Sequence, residues 1–246
     1  MKNKIVIAAV VVVIVTVIVG LILLNPSKPV TGQAIESTEK ELTAPVKTLG
    51  NYFQYSNQPA NSDGKVRVLF VGGEFCPFCA AQRWPLVESL KKFGELGELK
   101  GTTSAEIKDM PSNLATFHLI GVDYTSGYVR FDHKEIQDRD FNELEKLTTE
   151  EQEVFNKYNP KGSIPFLMIS GKKGVYVQIS SGYSPGTLSG LSFFEIQEDL
   201  KNNPDAKEAI SINNEADVIT AIICYNSKNK APACSTEKVQ SLVSKL

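Results

Sequence analysis

The stretch KVRVLFVGGEFCPFCAAQRWPLVESLKKFG (residues 65–94) changes its hydrophobic period at two cysteines. Its first nine residues, ending on Gly72 and Gly73, are mostly β-branched and apolar, the pattern of a buried strand. From Pro77 onward, Ala80, Trp84, Val87, Leu90 and Phe93 recur at helical spacing, with Gly94 as the expected stop. Pro85 lies inside that helix and is expected to kink it. Cys76 and Cys79 sit at the junction. Pro77 suits a first helical turn, where a missing N–H is no loss, so Cys76 is expected at the helix N-cap. There its sulfur faces free backbone N–H groups and the positive end of the helix dipole. Both favour the thiolate, the form that attacks. Cys79, one turn later on the same face, is within disulfide reach and is expected to be the more buried, resolving thiol.

Three uses of such a pair remain open on this reasoning: a redox couple, a structural staple, or half of a zinc site. Zinc needs a second close pair. Cys224 and Cys234, the other two cysteines, have nine residues between them rather than the usual two to four. They flank the polar loop NSKNKAPA and are expected to form a structural disulfide, with a second redox shuttle as the alternative.

The compartment bears on all four cysteines. Residues 5–24, IVIAAVVVVIVTVIVGLILL, carry no charge and are long enough at helical rise to cross a bilayer. Lys2 and Lys4 precede them, so the positive-inside rule predicts a single-pass anchor with a cytoplasmic N-terminus and the folded part outside the cytoplasm. A cleaved signal peptide is the rival reading, and it leaves the folded part on the same side. Disulfides persist there.

The remaining composition excludes more than it assigns. A net charge of −2 with no extended basic block gives no nucleic-acid footprint. Two histidines, His118 and His133, argue against a histidine-rich metal enzyme, and no metal or bound cofactor is expected.

The chain divides into an anchor (1–25), a polar stalk (26–62) with order expected toward residues 49–55, and a folded domain (63–246). After the first strand and helix, LATFHLI (114–120) predicts a second strand, and residues 128–131 a short third. Residues 140–158 predict a charged surface helix, ended by Asn159-Pro160-Lys161-Gly162. A strand then opens at Ser163-Ile164-Pro165, turns at GKKG (171–174) and returns as VYVQIS (175–180). The remainder, 188–246, is mostly helical pattern. This order predicts a βαβ unit with a parallel sheet, followed by an antiparallel hairpin. A proline opening a strand is a candidate for a cis peptide, and in this topology Pro165 falls beside the cysteine loop.

Cys-Pro-Phe-Cys at the first helix, a proline six residues after Cys79 and a proline opening the third main strand together resemble the thioredoxin superfamily. The tetrapeptide is close to the Cys-Pro-Tyr-Cys of glutaredoxins. With the N-terminal apolar segment and the C-terminal cysteine pair, the chain also resembles an archaeal family of membrane-anchored thioredoxin-like proteins. The resemblance implies an α/β thioredoxin-like fold, a central mixed sheet flanked by helices, with a helical C-terminal extension. It implies Cys76 as nucleophile and Cys79 as resolving thiol, with Pro77, Phe78, Ile164 and Pro165 contacting substrate. Substrates would be cysteine-containing exported proteins or a membrane redox partner. Two positions depart from the family pattern. Phe70 stands where thioredoxins carry a buried Asp, leaving Glu74, expected to be exposed, as the nearest acid. Pro77-Phe78 lacks the His of the strongly oxidising enzymes. A second reading keeps the fold as a cell-surface binding or scaffold domain with structural bridges only. Arg83 is expected to be solvated or to hold a thiolate, Trp84 to pack in the core, and His118 to be a satisfied residue rather than a ligand.

Overall fold

The computed structural model describes residues 53–58, 64–228 and 231–246. The expected anchor, and the stalk except for residues 53–58, lie outside the described residues. No helix among the described residues is long and apolar enough to cross a membrane. In chain order the strands are β1 (Phe53–Ser56), β2 (Val66–Gly72), β3 (Glu95–Leu96), β4 (Lys100–Thr103), β5 (Ala115–His118), β6 (Tyr124–Thr125), β7 (Val129–Glu135), β8 (Phe166–Gly171) and β9 (Gly174–Gln178). The helices are α1 (Pro77–Leu90), α2 (Thr149–Tyr158), α3 (Phe193–Asn202), α4 (Lys207–Ser227) and α5 (Glu237–Val243), with short 3-10 turns at Pro185–Leu188 and Pro232–Ser235.

A central mixed sheet runs β1-β9-β8-β2-β7. Only β2 and β7 are parallel; β8 pairs antiparallel with β2, β9 with β8, and β1 with β9. All seven residues of β2 are buried, as its continuous apolar run requires of a strand covered on both faces. Helices flank the sheet. α1 and α4 pack on one another, with the Ser89 and Thr220 hydroxyls 3.0 Å apart, and α4 also lies on β8 and β2. α2 reaches the sheet through Phe155, whose ring meets Phe166 of β8 edge-on at 5.2 Å.

Three expectations need correction. The parallel partner of β2 is β7, not the LATFHLI segment. β5 forms a separate two-stranded ladder with β4, because Trp84 Nε1 donates to the Ala115 carbonyl and Thr116 Oγ1 to that of Ala80, tying β5 to the flank of α1. The expected 140–158 helix shrinks to Thr149–Tyr158. Thr148 and Glu151 close a reciprocal capping box there, and the preceding residues turn around the Asp138 carboxylate instead. The segment read as stalk supplies β1, so the sheet begins ten residues before the expected domain boundary at residue 63, at Phe53, which is itself buried.

Pro85 sits inside α1 and cannot donate to Ala81 four residues back. The Tyr183 hydroxyl takes its place, donating to the Ala81 carbonyl at 2.8 Å.

Candidate functional site

Cys76 is the N-cap of α1, with extended φ −79° and ψ 121°, and Pro77 occupies the first turn. The Cys79 amide donates to Cys76 Sγ at 3.2 Å, one of the helix N-terminal N–H groups that would otherwise lack a partner. The Cys76 amide in turn donates to the Gly73 carbonyl at 3.1 Å, which closes the turn between β2 and α1. That turn packs tightly. A Cβ on Gly73 would meet the Phe75 ring at 2.7 Å and Ile164 Cδ1 at 3.2 Å, so a side chain there would force both to shift.

The Ile164–Pro165 peptide is cis, and Cys76 Sγ lies 4.0 Å from the Ile164 carbonyl. The structure thus brings Cys76, Cys79, Pro77, Ile164 and Pro165 together, with Phe78 beside them on the first turn of α1. Both cysteines are free thiols. Cys76 is only 1% exposed, against the accessible sulfur expected of a nucleophile, and among these residues only Phe78 is partly open to solvent. Burial pushes the Cys79 thiol well above the usual range. The Cys76 side chain and the Glu135 charge push it the same way, while Arg83 opposes them.

Arg83 overturns the expectation of a solvated surface residue. It is fully buried, and its Nε and Nη2 form a two-pronged ion pair with the Glu135 carboxylate at 2.8 and 2.7 Å. Nη2 also donates to the Gly73 carbonyl at 2.9 Å, the same oxygen that accepts the Cys76 amide. Burial opposes the Arg83 charge. The Glu135 carboxylate and the two cysteines outweigh it and hold the guanidinium well above its ordinary range. Glu135 arrives from the last position of β7, parallel to β2, where Phe70 excludes an acid on β2 itself. Gly72 makes room for it: a Cβ there would lie 2.8 Å from the Phe70 ring and 3.2 Å from Glu135 Oε2. Sequence reasoning missed Glu135. The one signal was Arg83 at helical spacing from Cys79, which calls for a buried partner only if Arg83 is buried.

Glu74 is not exposed as expected. Its carboxylate sits 2.6 Å from His118 Nδ1 on β5, with 12% of the side chain open, and its amide donates to the Gln137 carbonyl. The segment after β7 therefore runs along the cysteine turn, since the Ile136 amide also donates to the Gly72 carbonyl at 2.8 Å. Within it Phe141 adopts φ +67°, a left-handed conformation that costs an L-residue about 1–2 kcal/mol. Its ring packs against that of Phe75 at a tilt of 39°, with centroids 4.6 Å apart. Cys224 at the end of α4 and Cys234 in the following 3-10 turn are joined by a disulfide, with Cα atoms 5.5 Å apart. Among the described residues no group of three or more His, Cys, Asp or Glu side chains is arranged to hold a metal ion.

Residues 51–225 match the model of a family described as a domain of unknown function, DUF929. The chain belongs to this family. The match spans the central sheet, the cysteine turn and the Arg83–Glu135 pair, and stops before Cys234. No curated protein matches the chain, and no solved structure does.

Proposed function

We propose that this member of the DUF929 family is a thiol–disulfide oxidoreductase on a thioredoxin-like fold, held to the membrane by residues 5–24 with its folded domain outside the cytoplasm. The observation that carries the reading is the hydrogen bond from the Cys79 amide to Cys76 Sγ at a helix N-cap. It distinguishes two sulfurs that are both buried. Cys76 faces helix N–H donors that an anion accepts best. Cys79 is buried and held as a thiol, its titration pushed up by that burial. Strand order supports the fold assignment. A parallel pair, β7 and β2, is joined through α1, and an antiparallel hairpin, β8 and β9, opens beside it on a cis proline next to the cysteines.

In this reading the Cys76 thiolate attacks a disulfide of an exported protein. A bond forms between Cys76 Sγ and one substrate sulfur, the substrate disulfide breaks, and the released thiolate takes a proton from solvent. Cys79 then gives up its proton and attacks Cys76 Sγ, releasing the second substrate thiolate, to which a proton returns. Two electrons pass from the cysteine pair to the substrate, one proton comes from Cys79 and one from solvent, and the reverse sequence oxidises a substrate dithiol. The positive charge of Arg83 favours the transient Cys79 thiolate, against burial and the Glu135 carboxylate, which oppose it.

The test uses the reduced full-length chain in mild detergent with Cys79→Ser, challenged with glutathione disulfide. A mixed disulfide that accumulates on Cys76 and is resolved in the wild type supports the reading. A Cys76 that stays unmodified in both sinks it. The burial of both thiols favours the alternative, a cell-surface binding domain in which the pair does no redox chemistry, and that second outcome is what it requires.

A further inference from the structure

Four large apolar side chains are exposed among the described residues, and two of them, Phe141 at 50% and Leu144 at 40%, lie on the segment that follows β7. This segment is bonded to the cysteine turn at two points, Ile136 to Gly72 and Glu74 to Gln137. Phe141 itself is fixed from several sides. Asp138 accepts the amides of Asp140 and Asn142 on Oδ1, both at 2.8 Å, and the Asn142 side chain on Oδ2 at 3.0 Å. The Phe141 amide donates to the Asp138 carbonyl, and Gln137 Nε2 donates to the Phe141 carbonyl at 2.8 Å. Arg139 holds the loop to the β4–β5 side through the Ser104 carbonyl and the Asn113 side chain, both at 3.3 Å.

The residue so fixed is the wrong one for folding alone. A position at φ +67° favours Gly or Asn, and an exposed ring gains little from burial. Strained residues held by their surroundings cluster at functional sites. Here the ring packs at a tilt against Phe75, the residue before Cys76, and the residue is half exposed. An aromatic side chain offers a rigid contact at low entropic cost, and such residues anchor interfaces.

We infer that Phe141 is a specificity-determining residue for the redox reaction proposed above, docking an apolar side chain that neighbours the reacting cysteine of a protein substrate. The inference rests on that reaction and names its substrate class: extended polypeptide cysteines flanked by an aromatic or aliphatic residue, in preference to small or polar disulfides. Phe75 backs the ring, so a substrate side chain stacks on a surface already in place and spends little on ordering it. Phe75 directly precedes Cys76 in the chain, so the apolar side chain to be tested is the one next to the substrate cysteine.

The test compares the reduced full-length wild type with Phe141→Asn, which tolerates positive φ and removes the ring, and Phe141→Leu, which keeps an apolar surface. Each is mixed with glutathione disulfide and with two disulfide-linked peptides whose cysteine is followed by Phe or by Ser. Oxidation of Cys76 and Cys79 is followed by acid quench, alkylation and mass measurement. The wild type should react with the Phe peptide about 10-fold faster than with the Ser peptide, the order of one aromatic contact. Phe141→Asn should lose that preference while its rate with glutathione disulfide stays within about 2-fold, and Phe141→Leu should keep part of it. Equal rates with both peptides in the wild type, or an undiminished preference in Phe141→Asn, overturns the inference and leaves the redox reading standing. No reaction with any of the three disulfides overturns both.

Discussion

Arg83 and Glu135 face one another with 0% and 1% of their side chains exposed, joined by two hydrogen bonds of 2.8 and 2.7 Å, directly beneath the carbonyl that closes the cysteine turn. A buried pair of this kind is costly to break and cheap to replace, because removing one partner strands a charge whereas removing both strands none. Glu135→Gln is therefore expected to lower stability by about 3–5 kcal/mol. Arg83→Met combined with Glu135→Leu should come out closer to the wild type than either single change. Urea unfolding of Glu135→Gln, of the Arg83→Met and Glu135→Leu singles and of their double, followed by circular dichroism, checks this. A double variant as unstable as the sum of the singles would show that the two side chains act independently.

Tyr183 and Pro85 make a second coupled pair. The proline leaves the Ala81 carbonyl without its helical donor, and the hydroxyl of the partly buried Tyr183 supplies one. Tyr183→Phe is expected to cost about 1–3 kcal/mol, the penalty for an unsatisfied buried acceptor. With Pro85→Ala in place, residue 85 regains an amide that can reach Ala81, so the same Tyr183→Phe change should cost less. The double-mutant cycle measures the difference directly, and purely additive costs would refute the shared-acceptor account.

The junction of β2 and α1 was legible because its signals are local. An apolar run, two glycines, a proline at the first helical position and cysteines three apart all fall within fifteen residues. The β8–β9 hairpin was legible for the same reason, with GKKG between two apolar runs. What escaped depends on distant pairing. LATFHLI looks like a core strand, yet its partner is Lys100–Thr103, a segment whose glycine and threonines resemble a loop. β7 was cut short at residue 131 because Asp132, His133, Lys134 and Glu135 look too polar for a sheet. Each has a specific partner or a partly open position: Asp132 meets Arg67 at 2.7 Å, His133 bonds the Val122 carbonyl, and Glu135 meets Arg83. The buried acid beside the cysteines went unread because it comes from a strand 52 residues away from its arginine.

The Cys224–Cys234 bridge ties the end of α4 to the turn before α5 across a sequence separation of 10. Closing a loop of this size in the unfolded chain is worth about 2–4 kcal/mol. Replacing both cysteines with alanine should lower stability by that amount. A strong reductant should bring the wild type down to the level of the variant and leave the variant itself unchanged. Unfolding curves with and without reductant decide it. A reductant effect in the variant of the same size as in the wild type would move the stabilisation elsewhere.

Glu215 of α4 offers a test that depends on pH. Burial raises its carboxyl above the ordinary glutamate range, while the hydrogen bond from Gln178 opposes the shift without cancelling it. Gln178 Nε2 donates to Oε1 at 2.7 Å, and Gly182 presses so close that any Cβ there would collide with the carboxylate. The folded protein therefore binds the Glu215 proton more tightly than the unfolded chain does. By linkage its contribution is most favourable below the unfolded glutamate value and declines as pH rises through the raised folded value. Glu215→Gln removes the titration, and its amide can also donate to Gln178 Oε1, which has no partner among the described residues. The stability of the variant relative to the wild type should thus increase between about pH 4 and about pH 8, on either side of the ordinary glutamate range. Other titrating groups cancel in that difference. A gap between the two proteins that stays constant across the interval would mean that folding leaves the Glu215 titration unshifted.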